Sequence, residues 1–334
     1  MPSLLTIPRE LRDQISLYVL NAETNAAPSL DQTFDDFISP RVVYNEPRLA
    51  SWSNLFLHCP NDTVSNASNL LLVNRQLHSE TRENIKRIAE GEEGTIYNLD
   101  VVLVDEFLPV LTWTRVPYLT KRIDRLNATF RIAGKFDWGK ERHRNAEGQR
   151  VDGAYTAFGR YKGFKIGNGA GPALSWQVYG MLERVLRVGP MQRRGCSNEH
   201  HHVVVKVLNV DIETPPGVDA SRFGGPIGGS SRRRDVRGDH VLDPEFLVNF
   251  IGGNMGGLLY SENREWFKYG QMLYEHMDDI VLCKDGVQRC RWAVDGALRV
   301  RKVETKYFSS DDLDKYKVEA WEVRRTRGLK VLES

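Results

Sequence analysis

Two helices are predicted near the start of the chain from the spacing of apolar residues. Pro8 stands in the first turn of the first helix, where a proline costs no hydrogen bond, and Glu10 places a carboxylate near the positive end of the helix dipole. The second helix is predicted to begin near Ser68 or Asn69, since either residue can cap it. In each helix a stripe of mostly apolar residues recurs every three or four positions, which is the spacing of one helical face. These positions are Ile7, Leu11, Ile15 and Val19 in the first helix and Leu70, Val73, Leu77, Thr81, Ile85 and Ile88 in the second.

Two strands and a helix between them are predicted in the middle of the chain. Residues 125–132 alternate strictly between apolar and polar positions, which indicates a strand with one face buried. Residues 203–213 begin with a run of valines and then alternate in the same way. Apolar residues at helical spacing from Leu174 to Val188 predict a helix that ends at Gly189, because the next residue is a proline.

The last third of the chain opens with a predicted loop and closes with a predicted helix. Residues 214–240 are rich in glycine, proline and serine and carry a run of arginines, which is typical of a flexible segment. Regular structure is predicted to resume at Asp243, a helix cap that is followed by a first-turn proline. The final helix is predicted from Ser310 to about Gly328.

Two Asp-Gly pairs lie between the helix predicted after Asp243 and the final helix, and they predict tight turns. They begin at Asp285 and Asp295 and separate three segments with strand character between Ile280 and Phe308. Because Asp-Gly is strongly preferred in two-residue hairpin turns, the pattern predicts a three-stranded meander.

The order of these elements predicts an α+β fold. Helices come first and strands follow in clusters, without the strict alternation of an α/β protein. We expect the N-terminal helices to pack on a mixed or antiparallel sheet with several additional helices. The predicted organisation is a helical region at 1–90, interrupted by a long insertion at about 21–68, and an α+β body at 91–334 with the flexible loop at about 214–240.

Composition excludes several classes of protein. Forty-six basic and 44 acidic residues leave a net charge of +2, so no overall field favours nucleic acid or a membrane surface. The longest aliphatic runs, such as Val101–Val104, are too short for a membrane-spanning helix. The first residues do not match a secretory signal peptide, so we expect a soluble protein of the cytoplasm or nucleus with reduced cysteines.

Glycine-rich segments resemble phosphate-binding loops only in outline. In the segment GNGAGP, Pro172 stands where the dinucleotide fingerprint needs its third glycine. The glycines at 252, 253, 256 and 257 are not followed by the Lys-Ser/Thr ending of a P-loop and indicate close packing or turns. No nucleophile elbow, paired-carboxylate signature or metalloprotease motif occurs in the sequence, so we expect no catalytic residues and no enzyme.

Two further segments leave alternative functions open. Cys196 and His200 to His202 have zinc-ligand side chains, but no second pair at ligand spacing occurs in the sequence, so we expect a polar loop without metal or cofactor. The arginines between Arg232 and Arg237 are flanked by glycine instead of aromatic residues, so a solvated loop is favoured and nucleic acid is not expected. The alternatives are an unrecognised ligand-binding or enzymatic site in the α+β body, or nucleic-acid binding through the basic loop.

The two N-terminal helices contain the segments LLTIPRELRDQISLYVL and NLLLVNRQLHSET. The first has Ile7-Pro8, Glu10-Leu11, an isoleucine at Ile15 and an aliphatic residue at Val19, and the second has a Val-Asn-Arg-Gln-Leu run from Val73. This pattern resembles the F-box, most closely the divergent form in many uncharacterised fungal F-box-like proteins. The segments TWTRVPYL, LNATFRIAG and LSWQVYGMLERVLRVGP extend the resemblance over much of the chain.

The resemblance implies a function in ubiquitin transfer. An F-box docks on a Skp-family adaptor that couples it to a cullin ubiquitin ligase, while the remainder of the chain selects a protein substrate. From periodicity alone, however, the same stripe is typical of ordinary core, and exposure of Leu11 and Ile15 would separate the two interpretations. The residues that the resemblance assigns to adaptor contact are Pro8, Leu11, Ile15, Val19, Val73 and Leu77.

Overall fold

An eight-stranded mixed sheet forms the centre of the fold. The computed structural model describes residues 4–38, 41–44, 56–58, 65–134, 172–190, 202–226, 240–262, 264–302 and 309–332. In spatial order the strands are β1 (Val42–Tyr44), β2 (Phe56–His58), β4 (Leu108–Arg115), β3 (Ile96–Val104), β5 (Arg122–Ala133), β6 (Val204–Ile212), β9 (Met277–Lys284) and β10 (Val287–Ala293). Two short strands, β7 (Phe223–Gly224) and β8 (Val241–Leu242), form a separate parallel pair.

The sheet combines parallel and antiparallel pairs, and its four consecutive strands β3, β5, β6 and β9 run parallel. The parallel pairs are β2–β4, β3–β5, β5–β6 and β6–β9, and the antiparallel pairs are β1–β2, β3–β4 and β9–β10. Parallel neighbours need a crossover, and helices supply it for the pairs β5–β6 and β6–β9, whereas β3 and β5 are connected through the antiparallel strand β4. The crossover helices are α5 (Ala173–Val188) between β5 and β6, and α6 (Pro244–Tyr260) with α7 (Arg264–His276) between β6 and β9. The α+β class predicted from the sequence is confirmed, and the sheet is mixed.

The main core lies between one face of the sheet and the helices that follow β5. Along β5 the apolar positions from Leu126 to Ile132 are buried and the alternate polar positions are partly or fully exposed, as the sequence predicts. Helix α5 ends at Gly189, whose φ of 63° is the left-handed conformation that favours glycine. The predicted strand at 203–213 is β6.

The first Asp-Gly pair forms the predicted hairpin, and the second does not. Asp285 and Gly286 have φ values of 51° and 75° and join β9 to β10, since a type I′ turn needs two positive φ angles. Asp295 instead lies in the first turn of α8 (Val294–Val300). Its carboxylate accepts hydrogen bonds from the Trp321 indole at 3.0 Å and from the Leu332 N–H at 2.5 Å. The three-stranded meander was therefore a wrong prediction, because contacts distant in the sequence hold this segment as a helix.

The helix cap predicted at Asp243 and the final helix predicted from Ser310 are confirmed. Asp243 accepts a hydrogen bond from the Glu245 N–H at 2.8 Å and precedes Pro244 at the first position of α6. The final helix, α9 (Ser310–Thr326), begins with a capping box between Ser309 and Asp312. None of the helices in the described ranges has the length and apolar character needed to cross a bilayer.

The described part of the N-terminal region contains four α-helices. They are α1 (Arg9–Asn21), α2 (Phe34–Ile38), α3 (Asn66–Val73) and α4 (Arg75–Glu90). The sequence predicted one helix where α3 and α4 lie, and this prediction was wrong. The backbone of Asn74 is extended and separates the two helices, and its side chain accepts a hydrogen bond from the Leu77 N–H at 2.9 Å and caps α4. The insertion predicted at about 21–68 contains α2, β1 and β2, and β2 pairs with β4 in the central sheet.

Candidate functional site

Helix α1 packs on α4 through a polar face. Arg12 and Glu80, each with a side chain only 8% exposed, form a bidentate pair in which Nε donates to Oε2 at 2.9 Å and Nη2 to Oε1 at 2.6 Å. Hydrogen bonds from Arg12 and then from Gln76 stabilise the charged carboxylate, so the pKa of Glu80 falls to about 2. Arg12 also donates to the Ile7 carbonyl at 2.5 Å, which ties the start of the chain to the helix.

Further polar contacts fix both ends of α1. Asp13 accepts hydrogen bonds from Asn84 at 3.2 Å and from Arg87 at 3.0 Å, and Arg9 forms an ion pair with Glu83. At the other end the Asn66 side-chain amide donates hydrogen bonds to backbone carbonyls in and just beyond the last turn of α1. It donates to Val19 at 3.0 Å, Leu20 at 2.9 Å and Ala22 at 2.7 Å.

The orientation that these contacts impose turns the apolar stripe of α1 toward solvent. Arg12, Ser16 and Leu20 are spaced by four residues and occupy the buried face of α1. The neighbouring stripe of apolar residues, which also follows helical spacing, is exposed to solvent. It consists of Leu11 at 48% exposed, Ile15 at 44%, Tyr18 at 81% and Val19 at 36%.

Exposed apolar residues are concentrated in the N-terminal helices. The end of α3 adds Leu72 and Val73, which are 83% and 61% exposed. Of the fifteen large apolar side chains exposed in the described residues, eight lie before residue 74. Large exposed apolar areas are typical of interaction surfaces, whereas single exposed apolar residues are ordinary. We name Leu11, Ile15, Tyr18, Val19, Leu72 and Val73 the apolar face.

An open hollow lined by both polar and apolar residues adjoins the apolar face at the C-terminal end of α1. Its volume is about 660 Å³, and Tyr18 forms part of both the hollow and the apolar face. The described residues that line the hollow are Gln14, Leu17, Tyr18, Asn21, Ala22 and Glu23.

The structure separates the six candidate contact residues into two groups. Pro8, Leu11, Ile15, Val19 and Val73 are exposed, but Leu77 is only 3% exposed and lies on the inner side of α4. Leu77 therefore offers no surface to a partner, because the cap at Asn74 starts a new helix with its own inner face. The sequence reasoning did not select Tyr18 and Leu72. Tyr18 lies three residues after Ile15, a spacing that already indicated the same face.

His276 is a titratable side chain that the fold encloses. His276 is buried, its Nδ1–H donates to the Val203 carbonyl at 2.9 Å, and its pKa falls to about 3 because burial disfavours the imidazolium. Its ring lies 5.1 Å from that of His202, the last residue of the histidine cluster. Within the described ranges no three His, Cys, Asp or Glu side chains lie close enough together to hold a metal ion.

A charged hollow of about 240 Å³ lies where α4 leads into β3. Its Asp124 already accepts the Thr95 N–H at 2.8 Å and pairs with Lys206, so the carboxylate is occupied by the protein itself. Cys283 and Cys290 flank the turn between β9 and β10 and are both free thiols, Cys283 buried and Cys290 exposed.

Several candidate segments lie outside the described residues. They are the glycines at 167–171, Cys196, His200, His201 and the arginine run at 232–237.

Comparisons with known proteins add no family assignment. No protein-family model matches the chain, and no curated protein or solved structure matches it either.

Proposed function

We propose that this chain is an F-box-like interaction protein whose apolar face docks on a Skp-family adaptor. Through that adaptor it would present a protein substrate, held by the α+β body, to a cullin-type ubiquitin ligase, without being an enzyme itself. Such a partner places the protein in the cytoplasm or nucleus. The observation that supports the proposal is the orientation of α1, which buries Arg12 and Ser16 and exposes Leu11 and Ile15.

The inverted orientation of α1 distinguishes a docking helix from a core helix. A helix that only completes the core turns its apolar stripe inward, since burial of apolar surface stabilises the fold. Here the ion pair between Arg12 and Glu80 occupies the inner side, so the apolar stripe contributes little to the stability of the free chain. An apolar groove of a partner would cover that stripe in the mode of a helix docked in a groove.

The apolar face has the composition of an affinity-determining surface. Tyrosine is enriched among residues that dominate binding energy, and Tyr18 is the most exposed aromatic residue of α1. Leu11 and Ile15 are each about half exposed, so covering either one contributes roughly 1 kcal/mol of transfer free energy. Leu72 and Val73 extend the apolar area beyond α1.

Calorimetric titration of the full chain with a purified Skp-family adaptor tests the proposal. The wild type is expected to bind, and the double variant Leu11→Asp plus Ile15→Asp is expected to bind about 100-fold more weakly, because two charges would be buried in the interface. Val318→Asp is the matched control, since Val318 is an exposed valine of α9. It should bind like the wild type.

The thermal midpoint of each variant shows whether a loss of binding reflects a loss of folding. Leu11 and Ile15 are exposed, so the double variant should unfold within a few degrees of the wild type. Absence of binding by the folded wild type would refute adaptor docking. Equal affinity of the wild type and the double variant would remove the apolar face from the interface.

A further inference from the structure

The last strand of the sheet, β10, has an open edge. It pairs with β9 on one side, and no strand of the described chain pairs with its other side. Six of its seven residues are exposed, and only Trp292 is half-buried. The pairing of β10 with β9 shifts register between Gln288 and Cys290 and is regular from Cys290 to Ala293. The outer backbone N–H and C=O groups of that regular part are available to another extended chain.

The hairpin that carries β10 is held rigidly. The Gly286 N–H donates to both carboxylate oxygens of Asp211, at 3.1 and 3.0 Å, and the Asp285 N–H donates to the Ile212 carbonyl at 3.1 Å. Thr214 donates its N–H and its hydroxyl to Asp285, each at 2.7 Å. A strand held in this way is preorganised, so adding a further strand orders little more of this chain.

Basic side chains lie along the open edge. Arg289 donates to Glu245 at 3.1 Å and Arg291 donates to Asp279 at 3.0 Å. Each pair uses one Nη group, and the two arginine side chains remain 44% and 54% exposed. A guanidinium has five N–H donors, so both arginines retain capacity for a carboxylate on an added strand.

The same arginines disfavour a second copy of this chain as the added strand. In an antiparallel pair of β10 strands, arginine faces arginine whether the twofold axis passes through Arg289, Cys290 or Arg291. Parallel copies in register would also bring equal charges together. Like charges on neighbouring strands destabilise their pairing, whereas opposite charges stabilise it.

We propose that β10 binds an acidic, extended segment of another protein by strand addition. The segment would become the ninth strand of the sheet, with backbone hydrogen bonds giving affinity and Arg289 and Arg291 selecting acidic side chains. This site is separate from the apolar face, because the N-terminal helices join the sheet at β4 through the Asn66 N–H and Val116 carbonyl. Five strand spacings, roughly 24 Å, separate β4 from β10.

Fluorescence anisotropy of the full chain with a labelled ten-residue peptide tests this proposal. The probe carries glutamate on both faces of its extended conformation. It is expected to bind at least about tenfold more tightly than a peptide with lysine in place of each glutamate. In the lysine peptide, the attractive pairs with Arg289 and Arg291 are replaced by repulsion between like charges. The same acidic peptide, N-methylated along both edges, is expected to lose binding, because it cannot form the strand hydrogen bonds.

Variants locate the binding to β10. Arg289→Ser plus Arg291→Ser should weaken binding of the acidic peptide about tenfold. Arg299→Ser, which changes an exposed arginine of α8, should leave it unchanged. The variant Leu11→Asp plus Ile15→Asp should also bind the peptide normally, so failure of adaptor docking and failure of strand addition are distinguishable.

Four results would overturn strand addition at β10. They are absence of binding at peptide concentrations of about 1 mM, equal binding of the N-methylated peptide, unchanged affinity of the double arginine variant, and self-association of the wild type that the arginine variant strengthens. The last result would show that a second copy, and not an acidic segment, is the strand that β10 accepts.

Discussion

Gly270 sets the distance between α6 and α7. A Cβ atom at this position would overlap the backbone carbonyl of Leu258, which cannot rotate away. We expect Gly270→Ala to lower the free energy of unfolding by about 1–3 kcal/mol, because the two helices must move apart. Urea denaturation measures the change.

Gly253→Ala is the matched control for Gly270→Ala. Gly253 is an exposed residue of α6, and a Cβ atom there meets no other atom within 4 Å. Alanine has the higher helix propensity, so this variant should gain about 0.5–1 kcal/mol. Equal stability of the two alanine variants would contradict the close packing of α6 on α7.

Glu80 makes the attachment of α1 depend on pH. The hydrogen bonds from Arg12 lower the pKa of Glu80 from its ordinary 4.5 to about 2 in the folded chain. Because the folded pKa is depressed, the stabilisation by ionised Glu80 is complete above about pH 4.5 and is lost as pH falls toward 2. The difference in thermal midpoint between the wild type and Glu80→Gln should therefore be widest above about pH 5 and should shrink in acid.

Glu319→Gln is the control for this pH profile, since Glu319 is an exposed residue of α9. It should leave the thermal midpoint unchanged across the same range. A difference between the wild type and Glu80→Gln that stays constant with pH would contradict the role assigned to the ion pair.

Helix α1 shows which part of the candidate site could be predicted from the sequence. The spacing of Leu11, Ile15 and Val19 predicts the helix, and it identifies the stripe that the structure exposes. The spacing cannot give the direction of that stripe, because Arg12 finds its partner Glu80 on a different helix, 68 residues later. Orientation depends on this long-range contact.

Helices α3 and α4 show how a local signal can override a periodic one. The apolar pattern continues through Val73 and Leu77, so it predicts one helix. Asn74 interrupts it, since asparagine is a strong N-cap and its side chain accepts the Leu77 N–H. As a result Val73 faces solvent and Leu77 faces inward, although the F-box resemblance assigned both to one surface.

The central strands show why the sheet was only partly predicted. β5 alternates because one face is partly solvated, and the sequence identified it. β3 is buried on both faces for most of its length, so its residues do not alternate and Val101–Val104 is only a short aliphatic run. The antiparallel hairpin of β9 and β10 was found because its turn is local, and the parallel pairings, which join distant segments, were not.

At the scale of the whole molecule, the N-terminal helices and the sheet are joined directly. Asn66 and Ala67 donate their N–H groups to the Val116 and Pro117 carbonyls, each at 2.9 Å, and Tyr118 packs with Leu20. The apolar face is thus held on the same body that carries β10. In the proposed function this connection would fix an adaptor at one side of the sheet and an acidic protein segment at its far edge.

Radical footprinting of the apolar face, with and without a Skp-family adaptor, tests the central claim most directly. The free chain should be labelled strongly at Tyr18, and the adaptor should protect Tyr18, Leu11 and Ile15. Tyr260, which is 44% exposed at the end of α6, serves as the internal reference and should keep its labelling. Weak labelling of Tyr18 in the free chain, or equal labelling of Tyr18 with and without saturating adaptor, would contradict the account.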